Sequence, residues 1–149
     1  MAINMMDPAY HAQSGSEHGE QVALFVWAAA ERRHDDRLRF MYAIPNGGER
    51  DKRSASNMVA EGVKKGAPDI CLPIPIFIGT SGFIKYPSLF LEMKRKNGVS
   101  SDVSEDQKTW LRGLATMGHA TQVVWGWLHA VDVINDYLAG KTIKLKLER

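Results

Sequence analysis

Two short segments decide the fold: residues 66–72 read GAPDICL and residues 88–94 read SLFLEMK. Apolar residues recur at alternate positions of the second segment, which is typical of a β-strand, and the first segment predicts a shorter strand that begins at Asp69. Glu92 and Lys94 are two residues apart and therefore project from the same face of their strand. If the two strands pair as a hairpin, the carboxylates of Asp69 and Glu92 converge at one end of the sheet.

A pair of converging carboxylates predicts a cation site, because the two negative charges repel each other unless a cation lies between them. Mg²⁺ and Mn²⁺ prefer such hard oxygen ligands, and they lower the pKa of a bound water. Lys94 is suitably placed to orient that water or to neutralise charge on a phosphate. The pattern favours metal-assisted hydrolysis of a phosphodiester. A solvated Glu92–Lys94 pair is the alternative, but the apolar neighbours indicate a buried strand, where a carboxylate needs compensation.

The remaining segments predict a mixed α/β sandwich with this hairpin at its centre. The first helix is predicted to begin after Ser14, in a capping box with Glu17, and its stretch 22–27 is apolar nearly all round, which favours a buried helix. Residues 142–147 alternate and predict either an edge strand or a tail. The first predicted helix ends near residue 33, and three further helices are predicted at about 49–61, 104–118 and 127–138. Strands are predicted at 39–44, 69–72, 88–94 and 119–125.

Composition and length narrow the class of protein. The chain has 149 residues, of which 44% are hydrophobic and 24% charged, as expected for one globular domain. A formal net charge of +2 permits nucleic-acid binding without requiring it. The single cysteine, Cys71, excludes an internal disulfide framework and a cysteine-based zinc site. We expect an intracellular protein, because no secretory or membrane-spanning pattern is present. We expect it to comprise a flexible arm at 1–15, one domain at 16–140 and a tail at 141–149.

Six sequence pieces, in order, resemble the VRR-NUC domain of the PD-(D/E)xK nuclease superfamily, in its short stand-alone form typical of phages. The resemblance covers about residues 16–138. The pieces are EHGEQ at 17–21, AIPNGG at 43–48, AEGVKKGAPD at 60–69, LEMK at 91–94, SEDQKTWL at 104–111 and VWGW at 124–127.

The resemblance implies a restriction-endonuclease-like core, a mixed β-sheet flanked by helices, and the activity of a metal-dependent DNA endonuclease. It implies that Asp69 and Glu92 are ligands of Mg²⁺ or Mn²⁺, joined by the backbone carbonyl of Met93. It makes Lys94 the catalytic lysine, and it adds Glu20 of the first helix to the metal site.

Three polar residues carry alternative interpretations. Glu20 is expected at the metal site, although an acidic residue near a helix N-terminus also interacts favourably with the helix dipole. Gln107 matches a glutamine that supports the lysine or the DNA in the family, but it also lies three residues after Ser104, as in a capping box. Asn46 lies three residues before Glu49 and is a candidate cap of the second helix.

Basic residues on both sides of the proposed site predict contacts with DNA phosphates, which position a duplex without reading its sequence. A solvated charged surface is the alternative interpretation. Since no base-reading helix is evident, we expect recognition of DNA shape or of a junction. The candidate DNA-binding residues are Arg50, Lys52, Arg53, Lys64, Lys65, Arg95 and Lys96.

The connection at 73–87 is too apolar for a solvated loop. Burial against the core as extended strands is the preferred interpretation, and a dimer contact or a wedge into branched DNA are the alternatives. A homodimer is expected, because two nicks on opposite strands need two sites.

Together with the residues of the site, the resemblance implies a structure-selective DNA endonuclease, with resolution of Holliday junctions as a candidate activity. We expect it to serve phage replication, recombination or repair, in the cytoplasm of a bacterial host. The alternatives are a nicking or flap nuclease with the same site, a non-catalytic DNA-binding subunit, and an accessory protein without a DNA role.

Overall fold

The computed structural model describes residues 5–45 and 52–149, with the backbone alone for residues 52–55. The helices of this part are α1 (Pro8–Ala12), α2 (Glu17–Glu31), α3 (Lys52–Ala60), α4 (Glu105–Thr116) and α5 (Trp127–Leu138). The strands are β1 (Tyr42–Ala43), β2 (Ile70–Leu72), β3 (Ile76–Phe77), β4 (Ile84–Tyr86), β5 (Leu89–Lys94) and β6 (Ala120–Trp125). Two 3₁₀ helices cover Asp36–Phe40 and Ser100–Asp102.

The main sheet has four strands in the order β1-β2-β5-β6. β1, β2 and β5 are successively antiparallel, and β6 is parallel to β5, to which α4 connects it. The predicted mixed sheet flanked by helices is confirmed, and the β2–β5 hairpin lies at its centre.

Each face of the sheet is covered by helices. Leu24 of α2 and Ile134 of α5 pack against Leu91 of β5 in one fully buried cluster. On the other face, Leu111 of α4 packs against Val123 of β6. β5 is therefore enclosed on both faces, and burial of these apolar side chains supplies most of the stabilisation of the fold.

The first helix differs from its prediction in two respects. Its N-cap is Ser16, whose hydroxyl accepts a hydrogen bond from the backbone N–H of Gly19, so the predicted cap at Ser14 is wrong. The stretch 22–27 is not buried all round: Ala23 and Leu24 are buried, whereas Val22, Phe25 and Val26 are half-buried.

The segments at the ends and edges of the sheet also differ from their predictions. Residues 39–44 form only a two-residue strand, because the 3₁₀ helix Asp36–Phe40 takes up the first part of the segment. The arm predicted at 1–15 contains α1, which Asp7 caps through a hydrogen bond from Ala9 N–H. For residues 142–147, by contrast, the structure agrees with the second of the two predicted alternatives, a tail.

The apolar connection at 73–87 forms a second, two-stranded sheet of β3 and β4. Ile76 is buried in the main core, as expected, but Phe77, Ile78, Phe83 and Ile84 are exposed, so burial accounts for only part of this segment. Because it links the end of β2 to the start of β5, this hairpin lies at the opposite end of the sheet from Asp69 and Lys94. No helix in the described part of the chain is long and apolar enough to span a membrane.

Candidate active site

Asp69 and Glu92 meet where β2 begins. Ile70 lies opposite Leu91 in the antiparallel pair, and continuing this register by one residue sets Asp69 opposite Glu92. Here the partner of the Met93 backbone N–H is the Asp69 side chain, whose Oδ2 accepts its hydrogen bond at 2.7 Å. This bond fixes the Asp69 carboxylate against β5, beside the carboxylate of Glu92.

The loop before Asp69 is docked onto the first turns of α4. Gly66 has a φ of +82°, and a Cβ atom at this position would lie 2.7 Å from the backbone of Asp106. The preceding Lys65 pairs with Asp106 at 2.7 Å and accepts a hydrogen bond at its carbonyl from the Trp110 indole. Glycine is therefore required for the contact that brings α4 alongside the site.

Glu92 has an environment that does not favour a carboxylate. The side chain is 1% exposed, and its Oε1 accepts hydrogen bonds from Gln107 and from Lys94, the latter at 3.1 Å. Its Oε2 is buried and has no hydrogen-bond partner among the described residues. Burial, and then the negative charge of Asp69, raise the pKa of Glu92 to about 8 against the opposing effect of Lys94. Without a further cation, the site tends to keep this group protonated.

Lys94 is a buried ammonium held by two carboxylates. Its side chain is 5% exposed, and its Nζ lies 3.1 Å from Glu92 Oε1 and 3.5 Å from Glu17 Oε1. Burial lowers the pKa of Lys94, but the neighbouring acidic side chains of Glu92 and Glu17 outweigh this effect, so that the pKa is raised overall. Lys94 therefore carries its positive charge at the site throughout the physiological range of pH.

Gln107 forms the predicted capping box and also contacts Glu92. Its Oε1 accepts from the backbone N–H of Ser104 at 2.8 Å, and its own N–H donates to the Ser104 hydroxyl, which forms the predicted capping box. Its Nε2 donates to Glu92 Oε1. Because the cap fixes the side-chain oxygen, the amide nitrogen is oriented towards Glu92, and the start of α4 positions the carboxylate.

Glu17, rather than Glu20, is the acidic residue of α2 that lies next to Lys94. Glu20 is 2% exposed, and its carboxylate accepts from the backbone N–H groups of Trp127 at 2.9 Å and Lys96 at 3.4 Å. It thus joins the start of α5 to the loop after β5 and does not contact the site side chains. Glu17 instead contacts Lys94. Residues three apart on a helix share one face, so sequence spacing alone does not separate these two acids.

The candidate DNA-binding residues are only partly described. Arg50, like Asn46, lies outside the described residues, and for Lys52 and Arg53 the backbone alone is described. The other four side chains, Lys64, Lys65, Arg95 and Lys96, are exposed. Two of these have acidic partners, since Lys65 pairs with Asp106 at 2.7 Å and Arg95 approaches Asp102 at 3.7 Å.

The structural role of Glu20 can be tested by comparing Glu20→Ala with Glu17→Ala. We expect Glu20→Ala to lower the free energy of unfolding by about 2 kcal/mol, because two backbone N–H groups lose a charged acceptor. Glu17 is half-exposed, so Glu17→Ala should cost less than about 1 kcal/mol. Urea unfolding followed by circular dichroism measures both. The reverse ranking of the two variants would contradict the assignment.

The raised pKa of Glu92 predicts how the stability of the metal-free protein depends on pH. A raised pKa stabilises the fold fully below the ordinary value of 4.5, and this contribution is lost as the pH rises through about 8. Glu92→Gln resembles the protonated group at every pH. In a chelating buffer the stability of the variant should therefore lie within about 1 kcal/mol of the wild type near pH 5 and exceed it near pH 8, by on the order of 4 kcal/mol.

Urea unfolding at several pH values tests this expectation, with Asp136→Asn as a control at an exposed carboxylate far from the site. A constant difference between Glu92→Gln and the wild type over this pH range would show that Glu92 has an ordinary pKa.

Comparison with known proteins finds similarity at the level of structure. No protein-family model matches the chain, and no curated protein matches it by sequence. A solved structure described as a VRR_NUC domain protein superposes with a TM-score of 0.64 at 21% sequence identity. The match covers 87% of this chain and 93% of that chain. Nearly the whole of both chains is therefore included, and the protein shares its fold with a VRR_NUC domain protein.

Proposed function

We propose that this protein is a metal-dependent DNA endonuclease that hydrolyses phosphodiester bonds. The observation that carries the proposal is the buried Glu92 carboxylate beside Asp69, with one oxygen that has no hydrogen-bond partner in the described part of the structure. The buried Lys94 ammonium on the same strand supplies a fixed positive charge. The shared fold with a VRR_NUC domain protein supports the same activity.

The donor set of the site fits Mg²⁺ or Mn²⁺. Among the described residues, no group of three His, Cys, Asp or Glu side chains is arranged to hold a metal. Two carboxylates, Asp69 and Glu92, and the Met93 carbonyl instead form a sparse, all-oxygen set, which suits an ion that keeps several waters and takes ligands from a phosphate. The bound ion would activate a water and offset the charge of the phosphate.

The protein groups around this set have separate tasks in the proposed reaction. Gln107 donates to Glu92 Oε1, so Oε2 is the oxygen that would bind the cation. Lys94 Nζ, held between Glu92 and Glu17, would orient the attacking water or stabilise negative charge that develops on the phosphate oxygens. The hydrogen bond from Met93 N–H keeps Asp69 in place during the reaction. We propose no direct part for Glu20 in these steps, because its carboxylate is engaged by α5 and the loop after β5.

We further propose that the substrate is branched DNA, with resolution of Holliday junctions as the first candidate activity. The exposed Lys64, Lys65, Arg95 and Lys96 would hold phosphates near the site, together with Arg50, Lys52 and Arg53. Nicking or flap cleavage at the same site is the second candidate. A phage role in replication, recombination or repair in the bacterial cytoplasm fits either activity.

A homodimer is part of this proposal, because symmetric cleavage of two strands needs two sites. The exposed apolar side chains of the β3–β4 hairpin, Phe77, Ile78, Phe83 and Ile84, are the candidate contact with a second copy. The hairpin lies at the end of the sheet away from Asp69, so a partner there leaves the site open to DNA. The same location argues against a wedge inserted into DNA at the point of cleavage.

Cleavage assays on labelled four-way junction, flap, nicked and linear DNA test the proposal. With Mg²⁺ or Mn²⁺ we expect cleavage that EDTA abolishes, and a loss of about 100-fold or more in Glu92→Gln and Lys94→Met. Asp136→Asn should cleave like the wild type, since its exposed carboxylate lies far from the site.

The assay also separates the alternatives. The preferred DNA distinguishes a resolvase from a nicking or flap nuclease. DNA binding without cleavage in either metal would make the protein a non-catalytic DNA-binding subunit, and cleavage that survives both substitutions would contradict the proposed site.

A further inference from the structure

We infer that the C-terminal tail, residues 141–149, is a second phosphate-binding surface that guides DNA to the site along the edge of β6. The inference rests on the proposed nuclease function, and it concerns cations outside the candidate DNA-binding residues considered above. The residues that carry it are Lys144, Lys146 and Arg149, which we call the tail strip.

The tail is fixed to the sheet although it is not a strand. The amide of Gln122 on β6 holds it at two points: Nε2 donates to the Lys144 carbonyl at 2.9 Å, and Oε1 accepts from Lys146 N–H at 2.8 Å. One side chain thus forms both hydrogen bonds that a neighbouring strand would supply. The backbone of the tail is therefore held in register beside β6.

Alternate residues of the tail face the core and the solvent. Ile143, Leu145 and Leu147 are half-buried, and the last two pack against the cluster that contains Val123 and Trp125. Lys144 and Lys146 are exposed. Since successive side chains of an extended chain point in opposite directions, the apolar residues anchor the tail while both lysines project from it.

The tail strip leads to the end of the sheet that carries the site. Arg149 donates through NH1 to the carbonyl of Gly98 at 2.8 Å and through its backbone N–H to Ser100 at 3.0 Å. Its guanidinium also lies over the Trp125 ring, 5.9 Å from the centroid. Trp125 is the β6 partner of Lys94. The last cation of the tail strip therefore borders the loop that follows the catalytic strand and bears Arg95 and Lys96.

The tail carries one acidic side chain, the exposed Glu148, and in the described part of the structure Lys144, Lys146 and Arg149 form no ion pair. Within the described ranges, the tail's ion pairs comprise only that of Lys141 with Asp136, at 2.6 Å, at the far end of the tail from the site. Burial lowers the pKa of the neighbouring His129; among the nearby charges, Asp132 raises it, and Lys146 and Arg149 lower it. Exposed cations without acidic partners are available to bind phosphates.

DNA phosphate is the partner that fits this surface. The cations lie in a line, on an extended backbone, and they continue into the exposed basic loop next to the site. A polyanion that runs from this edge to Lys94 would contact them in succession, and each contact would release counterions. Such contacts carry no base specificity, which agrees with recognition of DNA shape.

The test compares the double variant Lys144→Gln/Lys146→Gln with Arg32→Gln/Arg33→Gln. The control removes the same charge from the C-terminal end of α2, about 22 Å along the helix from Glu17. Both variants alter exposed side chains, and thermal unfolding monitors their folding. Fluorescence anisotropy of a labelled duplex and a labelled four-way junction, in EDTA over a range of KCl concentrations, gives the dissociation constants.

We expect the tail variant to bind both DNAs more weakly and to reduce the slope of log K against log[salt] by about 1.8, because two phosphate contacts are lost. The control should retain the wild-type slope. An unchanged slope in the tail variant, or an equal reduction in the control, would overturn the inference. Metal-dependent cleavage by the wild type would still support the proposed nuclease function in that case. A wild-type protein that neither binds nor cleaves DNA would overturn both.

Discussion

The buried repulsion between Glu92 and Asp69 is the constraint on which the rest of the site depends. A carboxylate removed from water beside a second carboxylate destabilises the fold unless it is protonated or paired with a cation. Lys94 and Gln107 both contact Oε1 of Glu92. Oε2 has no hydrogen-bond partner among the described residues, so its burial is not compensated by them. A cation bound at this oxygen would remove a cost that the folded chain otherwise carries, as is common at functional sites.

The fold keeps this unfavourable arrangement in place through contacts from three sides. The antiparallel register of β2 and β5 sets Asp69 opposite Glu92, and the Met93 hydrogen bond locks the Asp69 side chain. Gly66 allows the loop before β2 to approach α4 closely enough for Gln107 to reach Glu92. α2 adds Glu17 to the other side of Lys94. Each contact comes from an element that packs into the core, so the stability of the whole domain offsets the cost of burying Glu92 beside Asp69.

The sequence predicted those parts of the structure that depend on local pattern. The alternation in 88–94 predicted β5, and the periodicity and capping residues of 104–118 predicted α4 with its Ser104–Gln107 box. It failed where tertiary packing decides. Glu17 and Glu20 lie on one helical face, and only the approach of α5 determines that Glu20 is engaged by Trp127. Which side chains of α2 are buried likewise depends on the elements that pack against the helix, and the sequence of α2 alone does not determine those elements.

The most direct test of the central claim is an NMR titration of the Glu92 carboxyl carbon, assigned with Glu92→Gln, in EDTA and in excess Mg²⁺. A midpoint near pH 8 is expected without the metal, because burial and Asp69 oppose ionisation. Mg²⁺ should lower the midpoint to below about pH 6, since a cation at Oε2 favours the ionised form. A midpoint near pH 4.5 without metal, or one that Mg²⁺ leaves unchanged, would contradict the account.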